Sequence, residues 1–277
     1  MVVAVLGLVA IFVAMALPRQ RETARDATCR GNLREIGVAL VIYDQARGSL
    51  PAVGPLPGGT GPLGAMLGEL GLADFRGIDA ERPQIKPGGL PPAERIIPGF
   101  ACPSDPAAVS GRFPAPTSYR ACTGDTPDGL GGAFAIGPGV KLADVEAADG
   151  LSFTAAFAER LVGTGFPTPD RANYAVAPGP IGPTCPPALP DRWQGDAGSS
   201  WAVANWRSTL YHHGLAPNAE PSCLDPAGRT GRIGASSGHL DRANVLLLDG
   251  SVRAYRSGID LKVWRRVGTV RDAETVR

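Results

Sequence analysis

Residues 2–17 read VVAVLGLVAIFVAMAL, and residues 18–47 continue PRQRETARDATCRGNLREIGVALVIYDQAR. Nothing in the first stretch is charged, while the second is polar and patterned. Leu33, Ile36, Leu40 and Tyr43 recur at intervals of three and four, with Gly37, Val41 and Asp44 alongside, and this spacing marks one face of a helix. Gly48 stands where a helix closes on a glycine, and Pro51 prevents its resumption. The two stretches together predict one helix of roughly 45 residues, about 70 Å long, apolar at its start and amphipathic afterwards. Pro18 is expected to kink that helix or to mark its exit from a bilayer.

Three readings compete for the apolar run. A cleavable secretory signal needs a basic segment before its apolar core and a small-residue cleavage site after it. Nothing basic precedes residue 2, and PRQRETARD at 18–26 offers no A-x-A pattern. A buried core helix at the extreme terminus would need an enclosing domain. A membrane helix needs about 20 apolar residues, with about 17 as a lower limit, and residues 1–17 meet that limit. The membrane reading is therefore the expectation. Arg19, Arg21 and Arg25 follow the run, and basic residues favour the cytoplasmic flank. An outward-facing head therefore calls for a basic segment upstream of Met1, and the expectation is that the natural start lies there.

The rest of the chain forms a single head, so the expected organisation is 1–17 as the transmembrane part of the helix, 18–47 as its amphipathic continuation, and 48–277 as a loop-rich head. Among 277 residues there are 37 Gly and 27 Pro, with 44% hydrophobic content, which suits a folded but loop-rich domain. The formal net charge is +1 and no basic stripe is present, so nucleic acid is not an expected partner. Cys29, Cys102, Cys122, Cys185 and Cys223 are widely spaced, without a C-x-x-C pair; zinc ribbons and thioredoxin-like motifs are unsupported. Outside the cytoplasm disulfides can form, and an odd count leaves a thiol over. Cys29, on the helix, is the expected unpaired one.

Within the head, a short helix is expected at 63–72 and strands at 132–136, 153–158 and 173–177. The clearest local signal is ANVLLLDGSVRAYR at 243–256. It reads as strands 244–248 and 251–255 joined by Asp249-Gly250, a dipeptide suited to a type I′ turn. A closing helix is expected at 259–267. The fold class is α+β: one long N-terminal helix, then a loop-rich antiparallel sheet.

Several stretches together resemble one family. They are LPRQRETARDATCRGNLREIGVALVIYDQARGSLP at 17–51, FACPSDP at 100–106, TSYRACTGD at 117–125, KLADVEAADGLSFTAAFAER at 141–160 and SSGHLDRANVLLLDGSVRAYRSGIDLKVWRRVGT at 236–269. The last resembles a C-terminal signature of His, nine residues, then Asp-Gly, here His239 and Asp249-Gly250. The chain is thereby similar to the domain-of-unknown-function fifteen-fifty-nine family. That resemblance implies a pilin-like or type II secretion pseudopilin-like envelope protein with a single-pass anchor and its head on the extracytoplasmic side. Its implied partners are the lipid bilayer and other pilin-like subunits, met through the helix. The family's prepilin motif, with the glutamate beside the cleavage site, does not precede Val2 here. A membrane-tethered binding module that never polymerises is the alternative, and an envelope hydrolase is a more distant one.

Candidate site residues are few. Asp249 and Gly250 are explained by a turn, while His239, ahead of the first hairpin strand, could bond to the hairpin or meet a partner. His212 and His213 would point to opposite faces of a strand, so they cannot share one ion, and a solvated loop is expected there. Asp125, Asp128 and Gly129 in DTPDG lack the alternating acidic spacing of a calcium loop and read as a turn. No G-x-S-x-G, H-E-x-x-H or P-loop sequence is present, so neither an enzyme nor a cofactor or metal is expected.

Overall fold

The computed structural model describes residues 2–72, 95–186 and 192–270, with residues 2–17 described by their backbone alone. Helix α1 runs unbroken over Val2–Arg47, with Pro18 inside it. Its C-terminus closes as the sequence predicts. Gly48 adopts φ +74°, and its N–H donates to the Asp44 carbonyl at 2.6 Å, the left-handed cap that a glycine adopts without Cβ strain. One stripe of the helix faces the head: Glu22, Asp26, Cys29, Leu33, Ile36, Gly37 and Leu40, at steps of four, three, four, three, one and three. Residues 18–21 are exposed, and so are Val38, Val41 and Ile42 on the outer side.

Short helices α2 (Pro62–Ala65), α3 (Pro106–Val109) and α4 (Leu142–Ala147) are set among loops. The helix expected at 63–72 is cut to the single turn of α2; Gly64, Gly68 and Gly71 weaken it, and Gly71 turns the chain at φ +73°. Two mixed sheets follow. One holds β1 (Tyr119–Cys122), β2 (Ala155–Glu159), β5 (Leu210–Tyr211), β8 (Arg242–Leu247) and β9 (Val252–Arg256), in the order β5-β1-β2-β8-β9. The other holds β3 (Tyr174–Val176), β4 (Trp193–Gln194), β6 (Cys223–Leu224) and β7 (Gly231–Arg232), in the order β4-β3-β6-β7. The class is α+β. The sheets are not purely antiparallel as expected, because β1 pairs parallel with β5, and β3 with β6.

The segment 132–136 is not a strand. Its amides turn back onto β1, Gly132 N–H to the Thr123 carbonyl and Phe134 N–H to that of Cys122, both at 2.9 Å. Ile136 N–H donates to the Gly129 carbonyl at 2.8 Å, and its strand-like pairing is an isolated bridge to Val53. The hairpin at 243–256 is present with a different turn. Gly250 lies at φ +82° while Asp249 keeps an ordinary φ, and a type I′ turn needs both positive. Leu247 N–H reaches the Ser251 carbonyl and Gly250 N–H reaches that of Leu247, so a three-residue connection ends on a left-handed glycine.

Strand β8 is the centre of the fold. On one face Asn244 and Leu246 meet α1: Asn244 Nδ2 donates to Asp26 Oδ1 at 2.9 Å, and a Cβ on Gly37 would lie 3.0 Å from Leu246 Cδ1. On the other face Ala243 pairs with Tyr255, whose ring meets Trp264. Trp264 belongs to α5 (Leu261–Gly268), which Asp260 caps by accepting from Lys262 N and Val263 N. Trp201, Trp206 and Trp264 are all fully buried.

Candidate functional site

His239 gathers the largest set of charged groups among the described residues. The chain reaches β8 through Ser237–Gly238, and Gly238 presses so closely on the FACPSDP loop that a Cβ there would sit 1.7 Å from the Ser104 carbonyl oxygen. That approach buries the imidazole, 1% exposed, between the helix and the sheet. Its Nδ1 lies 2.6 Å from Glu22 Oε1 on α1. Its Nε2 lies 3.2 Å from Glu159 Oε1 at the end of β2 and 3.6 Å from Asp26 Oδ1.

Each carboxylate has further partners. Glu22 accepts from Ser104 Oγ at 3.0 and 3.1 Å. Glu159 accepts from the Asn244 backbone N–H at 2.8 Å and from Asn244 Nδ2 at 3.1 Å. Asp26 also meets Arg242 at 3.3 Å. Burial works against a charged imidazole, but the Glu159 hydrogen bond and charge, then Glu22 and Asp26, raise its pKa to about 9. His239 is therefore a cation at neutral pH. For Asp26, burial favours the neutral form; Asn244, His239 and Arg242 outweigh it and hold the carboxyl below its ordinary value. Three carboxylates face two cations here.

Beneath them lies a disulfide, Cys29–Cys102. This corrects the expectation that Cys29 is unpaired. Cys29 falls seven residues after Glu22 and four before Leu33, on the buried stripe, and so points into the head. A second disulfide joins Cys185 and Cys223, and the free thiol is Cys122, buried in β1.

The signature residues are not brought together. His239 and Asp249-Gly250 stand at opposite ends of β8, roughly 20 Å apart for six strand residues. Each end meets α1 instead. His239 reaches Glu22 and Asp26, while the Gly250 Cα lies 3.6 Å from where a Gly37 Cβ would be. Asp249 is a turn residue, its Oδ1 accepting from Ser251 N–H at 2.8 Å. The nine-residue spacing thus measures one strand laid along a helix, fastened at both ends.

His212 and His213 do face opposite ways, but both are fully buried, contrary to the solvated loop expected. His213 stacks on Trp264 with ring centroids 3.7 Å apart, between the Trp264 carbonyl at 2.7 Å and Tyr211 Oη at 2.9 Å. His212 meets the edge of Trp206 and accepts from Gly214 N–H at Nδ1. Burial lowers both to about 3, so both are neutral. In DTPDG, Asp128 accepts from Thr126 Oγ1 at 2.6 Å and Leu130 N–H at 3.3 Å, the local bonds of a turn. Asp125 and Asp128 help line a cavity of about 410 Å³ with His212, Arg232 and Arg265.

Glu22, Asp26, Glu159 and Asn244 escape a reading by motif. The first two extend the Leu33–Ile36–Leu40 stripe toward the N-terminus, and continuing that stripe past its apolar part would have found them. Glu159 and Asn244 carry no local signal, since strand pairing alone brings them to the site.

A family model described as a protein of unknown function (DUF1559) matches residues 18–262. No curated protein and no solved structure matches the chain.

Proposed function

The chain belongs to the DUF1559 family of proteins of unknown function, and from that premise we propose that it is a membrane-anchored, pilin-like envelope protein, structural or binding in role, whose head is carried rigidly on its N-terminal helix. The observation that carries this reading is the continuity of α1 over Val2–Arg47. The uncharged run at 2–17 and the stripe that clamps the head lie on one rod. Between them, residues 18–21 are exposed, so the helix leaves the head before its apolar part begins. An apolar helix end can be hidden in lipid or among like helices, and both environments bury the same surface.

Two disulfides support an extracytoplasmic head, since such bonds persist in oxidising compartments. The exposed Val38, Val41 and Ile42 give the outer side of α1 an apolar strip suited to a neighbouring subunit. Among the described residues no helix is long and apolar enough to cross a membrane; the side chains of 2–17 lie outside them, so the anchor rests on the sequence of that run. Fractionation of cells expressing the full chain tests the reading. Recovery in membranes, resistant to alkaline carbonate and abolished by deleting 2–17, is expected. A full chain that stays soluble overturns it. Sheared surface filaments containing the chain would identify it as a polymer subunit, and detergent-extracted monomer as a tether.

A further inference from the structure

The donors around the Cys29–Cys102 disulfide form a second, hidden arrangement. One ligand atom from each of Cys29, Cys102, Glu159 and His239 lies within 4.8 Å of the other three, and all four residues are buried. With metal–sulfur bonds of about 2.3 Å and metal–nitrogen or –oxygen bonds of about 2.0–2.1 Å, a tetrahedral site has ligand–ligand edges of roughly 3.3–3.8 Å. Cys102 Sγ to His239 Nε2 is 3.7 Å, Cys102 Sγ to Glu159 Oε1 is 3.9 Å, and His239 Nε2 to Glu159 Oε1 is 3.2 Å. Three of the six edges already stand close to those of such a site.

The outer partners suit it too. A metal-bound imidazole ordinarily gives its other N–H to a carboxylate, which fixes the tautomer and turns the free nitrogen to the ion. Glu22 holds His239 Nδ1 in that way at 2.6 Å, leaving Nε2 toward the sulfurs. Glu159 is oriented by two bonds from Asn244. We infer that, once the Cys29–Cys102 bond is reduced, both thiolates, His239 Nε2 and a Glu159 oxygen bind one divalent cation of the zinc class.

The chemistry balances. A dithiol reductant gives two electrons and two protons, the S–S bond breaks to two thiols, and the reductant leaves as a disulfide. The cation then replaces both thiol protons and the Nε2 proton of the imidazolium, so three protons are released. Two sulfurs and an imidazole select zinc over calcium or magnesium, which prefer all-oxygen shells. The disulfide fastens α1 to the FACPSDP loop, and the metal would hold those two segments together with the end of β2 and the approach to β8. The reduced chain, before the disulfide forms, therefore has its own staple, exchanged for the covalent one on oxidation. This site is independent of whether the chain is a pilus subunit or a tether.

The test uses the full chain, reduced with a phosphine under anaerobic conditions and titrated with cobalt(II). One cobalt per chain is expected, with a thiolate-to-cobalt charge-transfer band and tetrahedral d–d bands, displaced by zinc; the oxidised chain should show neither. His239→Ala and Glu159→Gln should each weaken cobalt binding at least tenfold, and Cys122→Ser should leave it unchanged. A reduced chain without the cobalt–thiolate band, folded or not, overturns the inference. So does unchanged affinity in both site variants, which would mean that thiols alone capture the ion. Where His239→Ala does not fold, as judged by circular dichroism, Glu159→Gln, which keeps the side chain's size, carries the comparison.

Discussion

His213 shows how burial turns a titratable side chain into a pH liability. Held neutral between the Trp264 carbonyl and Tyr211, it has a pKa of about 3 in the fold, against roughly 6.5 in an unfolded chain. His212 is depressed to the same level. The unfolded chain therefore binds more protons between those values. Stability from both residues is fully present above about pH 6.5 and is lost as pH falls toward 3, on the order of several kcal/mol in all. Thermal melts from pH 7 to pH 4 should show a falling Tm, and the loss should be smaller in His213→Gln. His239 is the opposite case, charged and fully ringed by carboxylates. His239→Ala takes the cationic partner from the buried Glu159, leaving it the Asn244 hydrogen bonds alone, and costs about 3–5 kcal/mol, measured by urea unfolding. The sequence marked His239 by its place in the signature, yet the burial of His212 and His213 was invisible there. Nothing local distinguishes a histidine in a loop from one that a distant tryptophan covers.

At the scale of elements, what is set by neighbours in the chain was readable. The glycine cap at 48, the hairpin at 243–256 and the helix capped by Asp260 all follow from backbone preferences within a few residues. Gly250→Ala should cost about 1–2 kcal/mol, because the residue sits at φ +82° and a Cβ opposes that conformation. Asp260→Ala should cost about 1 kcal/mol by removing the cap of α5. Both are read as shifts in the denaturation midpoint at constant slope. The two-residue strands β4 to β7 could not be read. Their sequences (WQ, LY, CL and GR) hold no period, and only pairing partners far along the chain make them strands. The turn type was misread for a related reason, since Asp-Gly fits two hairpin geometries and the strand register chooses between them.

For the molecule as a whole, α1 and the head are one body. The Cys29–Cys102 bond closes a separation of 73 residues, and a loop of that length corresponds to about 4 kcal/mol of stability in the chain-entropy account. A Cys29→Ser, Cys102→Ser chain should melt well below the oxidised protein and should be cut by protease near residues 22–30 sooner than elsewhere in the described head. The fastening has a direction. From Glu22 to Gly37 along the helix, and from His239 to Gly250 along the strand, the two elements run the same way. A pull on α1 along its axis, from the apolar end, therefore slides helix against strand and strains the contacts between them simultaneously, where a sideways force would peel them one by one. The carboxylate–imidazole contacts and the disulfide lie at the end of the helix–strand seam nearest the pull. The domain therefore resists traction along its own rod better than a force across it.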